Sequence, residues 1–240
     1  MRKKLNALLV VLSLCFVAHP ALAQYKSRPY TGPQVPQNHL RFNVGYFSPN
    51  GDSAYWNDKE LEFTGSPNDF ANASVGLDYI RQLTERLGLL VTANFWDGDS
   101  QQSYRDYTDE VGTNITHTTT VATNSVEVGL VYSFLSRRSP VIPYIGGAGG
   151  YYSWDLEEAG DFIDFGAFPP EIFNDSFSSS GGTFGWSALL GLEIPFNLKW
   201  SLILEGRWQD AKAELDGDFQ GFGTLDLSGA NFRIGASWGF

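Results

Sequence analysis

Residues 231–240, NFRIGASWGF, close the chain and follow a strict two-residue alternation. The apolar members are Phe232, Ile234, Ala236, Trp238 and Phe240, and the residues between them are polar or small. This alternation predicts a β-strand with one apolar face. Most chains end in a polar tail that frays. A strand that ends on an aromatic residue beside the chain's own carboxylate therefore needs an explanation from the rest of the sequence.

The same alternation recurs upstream and predicts eight strands in all. They cover residues 39–48, 71–81, 87–96, 123–135, 141–154, 184–194, 200–210 and about 226–240. The connections at 49–70, 97–122, 155–183 and 211–225 are long, and those at 82–86, 136–140 and 195–199 are short. Adjacent antiparallel strands joined in this order put four long loops at one end, and three short turns with both termini at the other. Outer-membrane barrels have this asymmetry, with long external loops and short periplasmic turns.

The N-terminus indicates export. Three basic residues at positions 2–4, an apolar run from Leu8 to Ala18 and a small-residue site at 21–23 are typical of a secretory signal, so residues 1–23 are predicted to be cleaved. The only Cys and the only Met leave with this segment, and the net charge falls from −11 to −14. An acidic chain of this kind is a poor nucleic-acid partner. Residues 24–38, with three prolines, are predicted to be a periplasmic tail, and residues 39–240 to be the barrel domain.

Alternation also occurs in secreted soluble barrels, whose apolar face turns inward. Aromatic residues near the strand ends favour the membrane barrel, because rings collect at both interfaces of a bilayer. These residues are Tyr46, Tyr79, Phe95, Tyr132, Phe134, Trp154, Trp186, Phe196, Trp200, Trp208, Trp238 and Phe240. The opposite face is mostly Gly, Ser, Asn and Thr, which suit the narrow interior of an eight-stranded barrel. A ten-stranded barrel is the alternative, with residues 58–64 as the candidate for an additional strand.

Isolated charges of both signs also lie on the polar face. An Arg at the lipid midplane costs about 2 to 4 kcal/mol, whereas charges inside the barrel can pair. We therefore predict a polar network in the lumen that consists of Arg41, Asp78, Glu127, Glu193, Glu205, Arg207 and Arg233. Such a network either plugs the barrel or acts as an ion filter. The cations of the short turns, Arg86, Arg137, Arg138 and Lys199, are predicted to lie outside it, and Arg137 is expected to contribute almost nothing to stability.

The sequence resembles the small bacterial outer-membrane β-barrels, the superfamily that includes the OmpA transmembrane domain, OmpX and the OmpW-like proteins. The resemblance rests on the signal ending at 21–23, the segment PYIGGAGGYY at 143–152 and the terminal strand. It implies an eight-stranded antiparallel up-and-down transmembrane barrel in the outer membrane of a Gram-negative envelope. It also implies that the barrel-assembly machinery recognises Phe240 and Trp238. Phe240 then closes the barrel seam at the periplasmic interface, with its carboxylate in water.

The residues of the predicted mature chain contain no pattern typical of catalysis. Its two histidines are His39, at the periplasmic start of the first strand, and His117, in a predicted mobile loop without an orienting partner. No enzyme activity, cofactor or metal site is predicted. The segment DGDS at 97–100 lacks the twelve-residue pattern of calcium loops.

The long connections are acidic, and the one at 155–183 also carries large apolar residues, among them Phe162, Ile163, Phe165, Phe168, Ile172 and Phe173. So many apolar side chains in an external loop indicate a lid or a contact surface. We therefore expect a monomeric barrel, in contact with outer-membrane lipid and lipopolysaccharide, with a structural or surface-interaction role. The alternatives are a small OmpW-like channel for small or hydrophobic solutes and an outer-leaflet lipid-modifying enzyme.

Overall fold

The computed structural model describes residues 36–240, so the predicted signal and most of the predicted tail lie outside the described residues. The strands are β1 (Asn38–Pro49), β2 (Asn72–Gln82), β3 (Leu87–Thr108), β4 (Asn114–Ser133), β5 (Ile142–Asp164), β6 (Glu171–Pro195), β7 (Trp200–Glu214), β8 (Thr224–Asp226) and β9 (Gly229–Gly239). One α-helix, α1 (Ala54–Glu62), and 3₁₀ helices at Pro67–Phe70 and Gly217–Phe219 lie in the connections. Within the described part of the chain, no helix is long and apolar enough to cross a membrane.

The strands close into one antiparallel ring. Each strand from β1 to β6 pairs with the strand that follows it. β7 pairs with β9, and β9 pairs with β1, which closes the ring. The short β8 continues the β7 pairing as an interrupted start of the last strand. The ring therefore has eight positions, and the prediction of an eight-stranded up-and-down barrel is confirmed. The end that carries Asn38 and Phe240 is called the terminal end below, and the opposite end is called the distal end.

Two of the predicted long loops are wrong in extent. Most of residues 97–122 and 155–183 continue β3 to β6 as extended hairpins, and only residues 109–113 and 165–170 connect them. The partners of β5 and β6 stay in register up to Asp164 opposite Glu171, whereas the register of β3 and β4 shifts between Ser103 and Thr108. The inward residues of these segments mix polar and apolar types, so the two-residue period is weak in the sequence. The prolongation of these four strands is called the distal sheet (residues 97–108, 114–124, 153–164 and 171–183).

The outward face changes chemistry at one level on every strand. On β6 it is serine or glycine from Ser176 to Gly182 and apolar from Phe184 to Ile194. β4 changes between Asn124 and Val126, and β7 between Trp208 and Asp210. The eleven residues of the β6 band, tilted by about 40°, span about 28 Å, close to the height of the apolar belt of outer-membrane barrels. The exposed apolar face and the buried polar face therefore match a barrel surrounded by lipid.

Two further expectations are corrected. Trp154 does not belong to an aromatic girdle, because its side chain points inward and is buried. Residues 58–62 lie in α1, and Phe63 makes only an isolated bridge to Tyr104, so the segment does not add a strand to the ring. The glycine-rich part of β5 allows close approach to β4: a Cβ at Gly150 would lie 2.0 Å from the carbonyl oxygen of Val126.

The connection between β1 and β2 folds into the distal end of the barrel. Tyr55 and Trp56 of α1 and Phe70 of the first 3₁₀ helix are fully buried there. They form one apolar cluster with inward residues of the strands and of the β7–β9 connection: Phe47, Trp96, Val121, Tyr152, Trp154, Leu156, Ala211, Ala213, Leu215, Phe219, Leu225 and Leu227. This cluster, called the distal plug, fills the ring above the charged interior.

Candidate functional site

The barrel interior holds all seven residues of the predicted lumen network. Each of them is at most 5% exposed to solvent: Arg41, Asp78, Glu127, Glu193, Glu205, Arg207 and Arg233. The strand alternation explains their positions, because all are inward residues whose sequence neighbours face lipid. They divide into a central cluster and a terminal cluster.

The central cluster places two guanidinium groups among three carboxylates. Arg207 lies 3.2 Å from Glu127 and 3.4 Å from Glu205, and Arg233 donates to Glu205 and, at 3.4 Å, to Asp78. Uncharged groups complete the carboxylate hydrogen bonds: Thr92 and Asn43 donate to Asp78 at 2.6 and 2.8 Å, Ser187 and Tyr152 to Glu127, and Tyr144 to Glu205 at 2.9 Å. Buried charges that are paired and hydrogen-bonded in this way hold a single arrangement.

The terminal cluster is built around Glu193. Its carboxylate accepts from Arg41 at 2.8 Å, from Arg137 at 2.6 Å and from the hydroxyl of Ser201 at 2.9 Å. The Arg41 guanidinium also lies 4.8 Å from the ring centroid of Tyr144, which donates to Glu205. Arg41 and Tyr144 therefore connect the two clusters.

The placement of Arg137 corrects the sequence prediction. Although it belongs to a short turn, its side chain is only 9% exposed and reaches the barrel interior. The predicted network contained three cations and four carboxylates, and Arg137 supplies the fourth cation. The sequence did contain a signal for this position, because the predicted interior had one more carboxylate than cations. An arginine in a turn at the terminal end can fold inward and balance that charge.

The distal sheet buries the second histidine, which contradicts the prediction of a mobile loop. His117 is 2% exposed, stacks on Phe162 at 5.1 Å and meets Phe63 edge-on at 4.4 Å. Neither ring nitrogen has a hydrogen-bond partner. Burial among these rings, together with the Lys59 cation, lowers the pKa of His117 from 6.5 to about 4. His117 is therefore neutral at pH 7 and packs as an aromatic ring.

A buried ion pair connects α1 to the distal sheet. Glu158 of β5 accepts the hydroxyl of Tyr55 at 2.6 Å and the ammonium of Lys59 at 2.5 Å. Burial and the Glu158 carboxylate raise the pKa of Tyr55. Lys59 also lies over the ring of Phe63, 4.4 Å from its centroid. These contacts hold α1 over the inner face of the sheet.

The tip of the distal sheet exposes apolar side chains. The β5–β6 hairpin presents Phe165, Phe168, Ile172 and Phe173, and the β3–β4 hairpin presents Tyr107 and Val111. The rings of Tyr107 and Phe165 are 5.1 Å apart, so the two hairpins form one patch, called the tip patch. Carboxylates surround it: Asp106, Asp109, Glu110, Asp161, Asp164, Glu171 and Asp175. Loop solvation does not explain six large apolar groups at this position.

The remaining predicted residues lie at the terminal end. His39 is buried, with Nε2 3.2 Å from the carbonyl oxygen of Pro36. Phe240 and Trp238 are exposed on the lipid-facing side, and Trp238 stacks on Trp200. The backbone of Phe240 exchanges hydrogen bonds with Asn38, so the last residue closes the seam between β9 and β1. Among residues 36–240, no group of three or more metal-binding side chains is assembled.

Comparison with known proteins agrees with this architecture. Residues 7–240 match the family described as outer membrane protein beta-barrel domain. The fold is similar to that of OprG from Pseudomonas aeruginosa, with 14% identity, a TM-score of 0.53, and 87% of this chain and 98% of that chain covered. It is also similar to Neisserial surface protein A, with 12% identity, a TM-score of 0.50, and 87% and 100% covered. At these identities the likeness concerns the fold alone, and no curated protein matches the chain.

These matches confirm the predicted resemblance and the predicted cellular location. The closed ring, the lipid-facing apolar band and the family match over nearly the whole length agree with one another. The chain belongs to the outer membrane protein β-barrel family and is a protein of the cell outer membrane.

Proposed function

We propose that the protein is a non-enzymatic, non-conducting barrel that holds a rigid binding surface away from the outer membrane. The observation that carries the proposal is the distal sheet, which ends in the exposed tip patch. Twelve residues of β5 extend beyond the apolar band, which corresponds to a height of about 30 Å at a tilt of about 40°. In barrels of this kind the end opposite the termini faces outward.

The filled interior favours this role over that of a channel. The paired charges occupy the middle of the barrel, and an apolar cluster that includes Ile80, Leu90 and Ile203 lies in the same interior. The distal plug covers them on the outer side. An eight-stranded barrel is just wide enough for its own side chains. A hydrated path would require both the network and the plug to move.

Neighbouring segments cover part of each free edge of the distal sheet, which supports a rigid display surface. On β3, the backbone NH of Thr64 donates to the carbonyl of Ser103 at 2.9 Å. On β6, the carboxylate of Asp218 accepts the NH of Ser178 at 2.9 Å. Covered edges resist pairing with other chains. Binding is therefore expected at the tip patch rather than along the strand edges.

The chemistry of the tip patch selects its partner. Seven carboxylates surround the apolar groups, and Arg105 is the cation nearest to them in the sequence. We expect a protein partner with basic residues around an apolar patch, since complementary charge steers association and apolar contact stabilises it. A lipid-facing aromatic girdle has few charges around it, whereas the tip patch is surrounded by carboxylates. The patch is therefore suited to a soluble partner.

A lipid-modifying activity is disfavoured by the environment of the histidines. His117 is enclosed by phenylalanine rings, and His39 lies at the terminal end. A general base needs an orienting partner and access to its substrate. The proposal therefore assigns both histidines structural roles.

We also propose the partners that accompany this role. The outer leaflet and its lipopolysaccharide would surround the apolar band, and the barrel-assembly machinery would recognise the strand that ends in Trp238 and Phe240. The outward residues of the band are mostly aliphatic or aromatic, which suits contact with lipid around a monomer.

Single-channel recording in a planar bilayer tests the sealed interior. The refolded mature chain is expected to be silent, and the Arg207→Ala, Glu205→Ala variant serves as a comparison because it removes a central ion pair. Discrete conductance steps in the wild type that this variant alters would support a channel and overturn the proposal.

Binding of a basic protein tests the tip patch. Cytochrome c serves as the probe and serum albumin as the acidic control. Cytochrome c is expected to bind in low salt, and Phe165→Ser, Phe168→Ser is expected to weaken binding at least tenfold. Leu198→Ser, an exposed apolar position in a terminal-end turn, is the matched control and should bind as the wild type does. Equal binding by the tip variant would exclude the patch as the contact surface.

A further inference from the structure

A cavity of about 360 Å³ opens at the distal end, separate from the tip patch. It lies between α1, the distal parts of β5 and β6, and the 3₁₀ helix Gly217–Phe219. Its size is within the range of small-molecule sites. Because α1 and the β7–β9 connection build one side of it and the distal sheet the other, it exists only in the folded barrel.

Phenylalanine rings form most of the apolar lining: Phe63, Phe162, Phe177, Phe219 and Phe222. Phe162 and Phe177 meet edge-on at 5.0 Å, and Phe219 and Phe222 at 6.0 Å. Phe222 is 45% exposed although it packs on Phe219. The rings therefore present faces and edges to an open space, not only to each other.

The charged groups of the cavity have an excess of carboxylates. Asp58, Glu62 and Asp218 are exposed at its rim, whereas Lys59 and Glu158 form the ion pair at its floor. The pair neutralises itself, so three negative charges remain for a bound molecule. Asp218 accepts one backbone NH, which leaves acceptor capacity on its carboxylate.

The chain's own ammonium group demonstrates that these rings accept a cation. Lys59 Nζ lies 4.4 Å from the centroid of Phe63 and 5.7 Å from that of Tyr55. Cations within about 6 Å of an aromatic face are attracted by its quadrupole, and the attraction grows when water is excluded. The remaining four phenylalanines of the cavity have no such cation among the described residues.

We propose that this cavity binds a small organic cation, an ammonium group with an apolar body. The apolar body occupies the space between the phenylalanine rings, and the ammonium group lies against the rim carboxylates. An anion would meet three uncompensated carboxylates, and a neutral apolar molecule would leave them unpaired. The cavity shares no lining residue with the tip patch, and only Phe219 belongs both to its lining and to the distal plug.

Isothermal titration of the refolded mature chain tests this proposal with three probes of matched shape. Benzyltrimethylammonium is the cation, neopentylbenzene its neutral isostere, and benzylsulfonate the anion. The barrel is kept in a non-ionic maltoside detergent, because phosphocholine detergents carry a quaternary ammonium group themselves. The cation is expected to bind at least tenfold more tightly than the neutral isostere, and the anion not to bind.

Variants locate the binding. Asp58→Asn, Glu62→Gln, Asp218→Asn removes the rim charge while the amide oxygen at 218 can still accept from Ser178, and should weaken cation binding about tenfold. The matched control, Asp97→Asn, Asp99→Asn, Glu214→Gln, removes three exposed carboxylates of the outward face and should leave binding unchanged.

Two single substitutions test the rings and the floor. Phe222→Ala removes an exposed ring and is expected to weaken cation binding about fivefold without unfolding the barrel. Lys59→Met removes the ion-pair partner of Glu158, so that this carboxylate faces the cavity. This substitution is expected to tighten cation binding.

Other results would overturn the proposal. Equal affinity for neopentylbenzene would mean that the cavity selects only for apolar shape. An equal loss in the control triple variant would mean that the acidic surface attracts cations without a site. Binding of benzylsulfonate that is lost in Lys59→Met would assign the cavity to anions.

Discussion

Replacement of Arg207 by methionine is the most direct test of the charged interior. The guanidinium group of Arg207 contacts Glu127 at 3.2 Å, Glu205 at 3.4 Å and Asp78 at 3.9 Å. Methionine fills a similar length of the lumen but leaves Arg233 as the single cation of the central cluster. Three buried carboxylates would then share one guanidinium group.

The expected cost is about 3 to 5 kcal/mol, the range for loss of one partner of a buried ion pair. The value rests on burial, since Arg207 and its three partners are all at most 5% exposed. A second substitution, Glu127→Gln, restores the charge difference of the wild-type cluster. The Arg207→Met, Glu127→Gln variant should therefore recover at least about 1.5 kcal/mol, the lower end of the value of a hydrogen bond to a charged group.

Urea unfolding in lipid vesicles, followed by tryptophan fluorescence, measures these differences where the transition is reversible and two-state. The control is Arg86→Met, an exposed arginine in the turn between β2 and β3, which should change the free energy of unfolding by less than about 0.5 kcal/mol. Equal costs at Arg207 and Arg86, or no recovery in the double variant, would refute the assignment of these charges to a coupled interior network.

Three further predictions concern other parts of the molecule. Arg137→Met should destabilise the barrel by about 1.5 to 3 kcal/mol, because Glu193 loses one of its two guanidinium partners. The same urea assay measures this change in the free energy of unfolding. A change no larger than that of the exposed Arg86→Met control would contradict the inward position of Arg137. Stability should fall as the pH is lowered from 6.5 towards 4, because His117 takes up a proton in the unfolded chain but not in the folded protein, where its pKa is about 4. This contribution amounts to about 3 kcal/mol. The His117→Phe variant should lose that part of the pH dependence of the free energy of unfolding, and an unchanged dependence would refute the buried environment of His117. Trp56→Ala should release α1 from the distal plug, since the indole is buried and donates to the carbonyl of Asp226 at 3.2 Å. Trypsin cleavage after Lys59 should then accelerate at least tenfold, while the circular dichroism of the barrel stays constant. An unchanged cleavage rate would show that Trp56 does not hold the helix.

The course of the membrane-spanning part was predictable from local pattern. A strand exposes successive side chains to opposite faces, and lipid demands apolar groups on one of them, so the positions of Arg41, Arg207 and Arg233 followed from their neighbours. The same pattern placed Phe240 at the seam. Trp154 was misassigned because glycines interrupt the alternation in β5, and glycine has no side chain to mark a face.

The distal end was not predictable in this way. The inward residues Ser100, Gln102, His117 and Thr119 are polar although they are buried, so they appear in the sequence as part of a solvated loop. What buries them comes from distant segments: α1 and the chain that follows it pack against the hairpins. Burial here depends on contacts that no local period encodes.

The sequence by itself therefore determined an eight-stranded barrel, its lipid-facing side, and seven of the eight charges that pair in its interior. Its two-residue period sufficed because each strand lies between only two environments, lipid and lumen. The tertiary structure alone decided that Arg137 turns inward, that His117 is enclosed by rings, and that α1 plugs the distal end beside a cavity lined by phenylalanine. These features arise from contacts between residues far apart in the chain, and only closure of the barrel brings those residues together.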